Sequence, residues 1–385
     1  MAETQIFLLP GPTQVPPRIL RAGSAPMVNH RGPEFKAILT EMTANVKKVY
    51  QTQNDVLTLT CSGSGGLEAS VANFVNPGDK VIVASIGNFG ERFRDLAILY
   101  GAEVDYIGIP WGKPLDPQII ADKLKADINQ EIKAIFFQHN ETSTGILNPV
   151  KEIAEARGSH PALLVVDSIS GMGAAELKTD EWGLDVVIAG SQKAFMSPPG
   201  VAFISVNERA WEVQAKNKNV KYYFDLAKAK KSLADGQTPY TPAVATIYSI
   251  TEALRMMMET GLEAIIAEHY FRRDTVRAAA AALGLECVAK EKYASPAVTA
   301  IYLPEGMTQQ QIVKPLREKF NTVVAGGQGQ LKGKIFRIGH LGYLNILDLV
   351  AAVSALEICL LDAGYKLELG TGVAAMQKMI YKQYC

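Results

Sequence analysis

The segment Gly190-Ser191-Gln192-Lys193-Ala194-Phe195 places a lysine just beyond an apolar run, Val186 to Ala189. One run earlier, Asp167 closes Leu163 to Val166 in the segment VVDSISGMG. A carboxylate and an amine delivered by consecutive strands to one edge of a sheet can do acid–base work, and the amine can also form a Schiff base. A third segment, Cys61-Ser62-Gly63-Ser64-Gly65-Gly66-Leu67-Glu68, is a Gly/Ser turn between a strand-like run and a helical one. Small residues there leave backbone N–H groups free at a positive helix terminus, which suits a phosphate. Neither common nucleotide fingerprint fits. The Rossmann frame at Gly63-x-Gly65 needs Gly where Glu68 stands, and a P-loop ending in Gly333-Lys334 needs Gly where Gln328 stands. Taken singly, each feature has a plainer reading: a tight turn with an ordinary N-cap, a solvated strand-end carboxylate, a surface lysine. Their order along the chain is what pyridoxal phosphate requires: an anion site, an acid for the pyridine nitrogen, and an amine for the aldehyde.

From about residue 55 the chain repeats one rhythm, a short β-branched apolar run, a Gly- or Ser-containing turn, then helical spacing. The runs are Val56–Thr60, Val81–Ala84, Val104–Ile109, Ala134–Phe137, Leu163–Val166, Val186–Ala189 and Val201–Ile204. Most are apolar throughout, as strands covered on both faces must be. The helical stretches between them, such as Leu67–Phe74, Glu91–Tyr100, Pro117–Lys125 and Val150–Arg157, predict an α/β fold with a mostly parallel, doubly wound sheet. After Pro242 a long helical pattern, Ala243–Gly261 and then Leu262–Leu283, marks a seam. Beyond it, strand and helix patterns through Ala363 suggest a smaller α+β domain.

Composition narrows the function. The 385 residues carry 39 Lys+Arg against 39 Asp+Glu, so there is no basic excess for nucleic acid or an anionic membrane. Cys61, Cys287, Cys359 and Cys385 lie far apart and make no metal or disulfide framework. The opening MAETQIFLLPGPTQ lacks a signal peptide's pattern and no run is long enough to span a bilayer, so a cytoplasmic protein is expected.

Eight motifs then carry a resemblance: LLPGPTQVPPRIL, SGSGGLEA, GNFGERF, HNETSTGIL, VVDSISGMG, GSQKAFMSPPG, TPYTPAV and KIFRIGHLG. In this order, over nearly the whole chain, they resemble the class V, fold-type I pyridoxal-phosphate aminotransferases, most nearly the alanine/serine–glyoxylate aminotransferase group. The resemblance implies that Lys193 holds the cofactor's aldehyde and Asp167 pairs its ring nitrogen. Ser64, Gly65 and Gly66 would bind the phosphate with help from Gln192, and Thr238 and Thr241 would reach the phosphate of the partner in a homodimer. Phe89 would stack on the pyridine ring, although a core Phe is the competing reading. Thr142 would bond the phenolic oxygen, and Arg337 would clamp the substrate carboxylate. Gly11 would lie near the substrate side chain, with residues 1–22 across the site, residues 23–258 as the cofactor domain and 259–385 as the small domain. His139 and His340 read as structural, and no metal is expected.

The activity so implied is ping-pong transfer of an amino group from alanine or serine to a 2-oxo acid, glyoxylate. Two sister activities compete, phosphoserine aminotransferase and cysteine desulfurase. The latter would put His before the lysine, where Gln192 stands, and a mobile Cys near the C-terminus, where Cys359 sits in a helical pattern. Some cyanobacterial sequences of this type bear the name of a soluble-hydrogenase small subunit; cluster chemistry needs grouped thiolates that four scattered cysteines do not supply.

Overall fold

The computed structural model describes residues 5–385. Its strands in chain order are β1 (Ile6–Leu8), β2 (Asp55–Leu59), β3 (Lys80–Ser85), β4 (Glu103–Gly108), β5 (Ile132–Gln138), β6 (Asn140–Glu141), β7 (Ile146–Leu147), β8 (Leu163–Asp167), β9 (Val186–Gly190), β10 (Ala202–Val206), β11 (Val298–Tyr302), β12 (Thr322–Gly326) and β13 (Ile335–Gly339). Seven form the large sheet, in the order β2-β10-β9-β8-β5-β3-β4. Only β10 runs against its neighbours. This is the expected doubly wound α/β sheet.

The apolar runs are continuous because alternate residues enter two different cores. Leu163 and Val165 pack into one cluster with Phe136 and Ile188, while Leu164 and Val166 pack into the other with Phe137 and Val187. A pleated strand points successive side chains to opposite faces, so a sheet sandwiched between helices confines polar residues to the ends of its central strands.

The first four helices are α1 (Pro17–Gly23), α2 (Pro33–Tyr50), α3 (Gly63–Phe74) and α4 (Asn88–Leu99). The helix α3 begins inside the Gly/Ser turn, four residues before the apolar pattern suggested. Gly66 explains why the turn tolerates only a small residue there: a Cβ would lie 2.8 Å from Ile188 Cγ2, so α3 sits almost directly on strand β9.

The seam after Pro242 consists of two consecutive helices, Val244–Thr260 and Leu262–Ala282. The expected division near residue 258 thus falls in the last turn of the first. Beyond it a four-stranded sheet, β1-β12-β13-β11, packs against the helices Gln309–Phe320 and Ile346–Asp362. Strand β1 comes from the other end of the chain: Ile6, Phe7 and Leu8 pair in parallel with Thr322, Val323 and Val324, and Leu8 joins the C-terminal core. Of the segment expected to cross the site, residues 1–4 lie outside the described residues, and β1 anchors the remainder to the small sheet. No helix among the described residues is long and apolar enough to cross a membrane.

Candidate active site

Strands β2, β8 and β9 point their carboxyl ends to the same edge of the large sheet, where open α/β sheets bind ligands. A cavity of about 300 Å³ opens there, lined by residues from most of the expected motifs and by Gln328. Lys193, Asp167, Ser64, Phe89, Thr142, Gln192 and Gly11 all line it. Asp167 ends β8, is 4% exposed, and accepts the Ile169 N–H at 2.9 Å. Burial pushes its carboxyl up to about 7, with Glu141 adding to the rise and the Ile169 N–H, Arg92 and Lys193 opposing it. Lys193 follows β9 and donates to the Pro10 carbonyl at 2.5 Å. Burial brings its amine down to about 8; Asp167 resists this shift and Arg337 adds to it. Both groups therefore change charge close to neutrality, a tuning often found where protons are moved.

The Gly/Ser turn faces the cavity through only part of the expected set. Ser62, Gly63 and Ser64 face the cavity, whereas Gly65 and Gly66 are not among its lining. The N–H groups of Gly65 and Gly66 bond back to the Ser62 carbonyl, at 2.9 and 3.3 Å. The first two residues of α3, Gly63 and Ser64, are left without intrahelical acceptors. A Cβ on Gly65 would press on Cys61 and Phe224, away from the opening. The anion-ready donors are thus one or two positions upstream of where the motif suggested.

Phe89 is half-buried at the cavity wall, not in the core. Its backbone is held by Glu141, a fully buried acid absent from the expected site residues. One Glu141 oxygen accepts the N–H groups of Phe89 at 3.1 Å and Gly90 at 3.2 Å; the other accepts Ser143 N at 3.0 Å and Ser143 Oγ at 2.6 Å. Burial raises its carboxyl above the usual range, and these four donors, two of them N–H groups at the positive start of α4, oppose the rise. Thr142 Oγ1 donates to Ser170 Oγ at 2.8 Å, and Ser170 also receives Asn140 Nδ2 at 2.9 Å.

Arg337 is 4% exposed in the centre of β13 and is not an exposed strand charge. Its Nε donates to the Gly326 carbonyl and its Nη1 to the Thr142 carbonyl, each at 2.9 Å, which joins the small domain to the cavity wall. Burial lowers its guanidinium to about 10, so it stays cationic at neutral pH. Among the described residues no acceptor is bonded to Nη2, so that edge of the guanidinium is open. Thr238 and Thr241 line a separate crevice with Tyr223 and Tyr240, outside the cavity of their own chain. His139 bonds Ser168 at 2.9 Å and His340 bonds Thr299 at 3.0 Å. Burial drops both imidazoles to about 3, so they are neutral packing groups.

Sequence reasoning missed Ser62, Gly63, Arg92, Asn140, Ile169, Ser170 and Gln328 as lining residues. Helix phase would have found one of them: Arg92 lies three residues after Phe89 on α4 and so shares its face. Pyridoxal phosphate suits this chemistry. An amine, an acid and free helix-terminal N–H groups surround the space, and the buried carboxamide oxygens of Asn140, Gln192 and Gln328 have no protein partner.

Gly11 carries a specific constraint. Its φ is +113°, and a Cβ there would lie 2.6 Å from Lys193 Cε. Gly11→Ala is expected to strain the backbone by ~1–3 kcal/mol and displace the amine. The expected result is a drop of about 10-fold or more in pyridoxal phosphate affinity, read by absorbance titration; unchanged affinity would show that the Pro10–Gly11 segment does not position Lys193.

Comparison with known proteins agrees with this geometry. The family model "Aminotransferase class-V" matches residues 7–333. The chain belongs to that family, whose members use pyridoxal phosphate. The "Soluble hydrogenase 42 kDa subunit" of Anabaena cylindrica is 42% identical over 98% of this chain and 99% of its own. The serine–glyoxylate aminotransferase of Methylorubrum extorquens is 37% identical over 96% of this chain and 94% of its own. The ureidoglycine–glyoxylate aminotransferase of Bacillus subtilis superposes with a TM-score of 0.93 at 30% identity, covering 99% of both chains.

Proposed function

We propose that this aminotransferase moves the amino group of a small amino acid, serine or alanine, to a 2-oxo acid, glyoxylate, in a ping-pong reaction. The observation that carries the reading is the joining of the Lys193 amine, the Asp167 carboxyl and the Ser62–Ser64 turn in one cavity, with Arg337 bonded to the lining residue Thr142. When bound, pyridoxal phosphate supplies the aldehyde that takes up the amino group and a ring that accepts electrons from the substrate α-carbon. Lys193 takes the α-proton as general base and returns it as acid; a value near 8 gives it a substantial neutral fraction in the cell. Asp167 ionises opposite the protonated ring nitrogen, which turns an expensive buried charge into a paired one. Arg337 offers its free edge to the substrate carboxylate. The Gly63 and Ser64 N–H groups hold the phosphate, Thr142 the phenolic oxygen and Phe89 the ring face. Thr238 and Thr241 serve the second subunit of a homodimer, a use consistent with their distance from their own cavity and with exposed Tyr222 and Val220 nearby.

The small donor rests on likeness to the glyoxylate-using relatives. Steady-state assays of alanine, serine, aspartate and phosphoserine against glyoxylate, pyruvate and 2-oxoglutarate test it. Serine or alanine with glyoxylate should give the highest kcat/KM, with parallel double-reciprocal lines; a clear preference for phosphoserine or aspartate overturns it. Desulfurase chemistry has little support, since Cys359 is packed in the C-terminal core and burial pushes its thiol up to about 11. The hydrogenase assembly in the name of the Anabaena relative likewise finds no grouped ligands here: among the described residues no three His, Cys, Asp or Glu side chains converge on a metal position.

A further inference from the structure

Arg92 is a cation at the cavity wall that acts, together with Lys193, on the one lining carboxyl among the described residues, Asp167. It stands on α4 one turn after Phe89, and its guanidinium carbon lies 5.1 Å from the centre of the Phe89 ring. From there Nη1 reaches across to α3 and donates to Ser64 Oγ. The guanidinium is thus parked beside the two backbone N–H groups that have no intrahelical acceptor. Among the described residues the lining thus carries two cations, Arg92 and Lys193, against a single acid, Asp167. A part-buried guanidinium that shares one acid with a second cation, next to a helix start, calls for an anion with more than one oxygen.

We propose that Arg92 is a direct ligand of the cofactor's phosphate, exchanging its bond to Ser64 Oγ for a forked contact with two phosphate oxygens. The proposal rests on the pyridoxal phosphate reading of the cavity and adds a positioning residue to it. A phosphate ester carries a charge of about −1.5 to −2 near pH 7. Two neutral N–H groups and a helix dipole balance only part of that, and Arg92 supplies the remainder. Its other contact, the Phe89 ring, then ties phosphate capture to the surface on which the pyridine ring stacks.

A comparison of two ligands on three proteins tests this. Full-length enzyme freed of cofactor, as wild type, Arg92→Gln and Arg92→Lys, is titrated with pyridoxal 5′-phosphate and with pyridoxal, which lacks the phosphate, by fluorescence quenching. Arg92→Gln should weaken pyridoxal phosphate by ~10- to 100-fold and leave pyridoxal unchanged, while Arg92→Lys recovers part of the loss. Inorganic phosphate should compete for the wild-type site and much less for Arg92→Gln. Equal losses for both ligands would make Arg92 a mere tether between α3 and α4, and no loss would remove it from the phosphate site. Either result overturns the proposal. So does an effect confined to the KM of phosphoserine or aspartate, which would assign Arg92 to a substrate anion. If wild type binds neither ligand, the cofactor reading itself falls and this proposal with it.

Discussion

Lys193→Ala should abolish the absorbance at the visible edge that covalently held pyridoxal phosphate gives, and lower kcat by ~10⁴-fold, the upper range for losing a general acid–base group. The amine is the sole neutralisable base of its kind on the cavity wall; its neighbours are hydroxyls, carboxamides, the Arg92 guanidinium and the Asp167 carboxyl. Its hydrogen bond to the Pro10 carbonyl leaves the nitrogen lone pair available once the proton is lost. Arg in its place should be equally inactive, because a guanidinium keeps its proton at any working pH. The pH dependence has a definite sign. Burial lowers the Lys193 amine from 10.5 to about 8, so its neutral fraction grows as pH rises through 8. The rate at which cofactor-free enzyme takes up pyridoxal phosphate should climb over the same interval. A retained absorbance band in Lys193→Ala would remove the lysine from its role.

Asp167→Asn should lower kcat by ~10²–10³-fold, the loss typical of one preorganised charge partner, while leaving covalent attachment at Lys193 intact. It should also stabilise the cofactor-free protein. The folded value of Asp167, about 7, lies above its ordinary 3.8. Between those values the folded state holds a proton that the unfolded chain has released, so stability falls as pH rises from about 4 to about 7 and is flat above. At about 1.4 kcal/mol per pH unit the wild-type carboxyl removes on the order of 4 kcal/mol by pH 7. An amide does not ionise, so the difference in urea midpoint between Asp167→Asn and wild type should widen over that interval. Added cofactor should narrow it by pairing the wild-type charge. A pH-independent difference would mean that Asp167 is already ionised at acid pH.

The two residues that carry these predictions were legible because each depends on local pattern. An unbroken apolar run marks a buried strand, and the polar residue that ends it must emerge at the sheet's edge; Asp167 after Leu163–Val166 and Lys193 after Val186–Gly190 follow that rule. The phosphate turn was legible as a segment but not residue by residue. The phase of α3, set by Gly66 against Ile188 and Gly65 against Cys61 and Phe224, decides that Ser62, Gly63 and Ser64 face the cavity.

Sequence alone thus determined the doubly wound sheet and the acid and amine at the strand ends, because burial on two faces writes a periodicity that neighbours in the chain share. Tertiary structure decided the rest. The three residues of β1 find their partners more than 300 positions away, Glu141 on β6 holds Phe89 on α4, and Arg337 reaches Thr142 across 195 positions of sequence. A short strand, a buried acid and a buried arginine have no period of their own. Their roles exist only once packing has removed water and left their hydrogen-bonding groups to be satisfied by whatever the fold brings alongside.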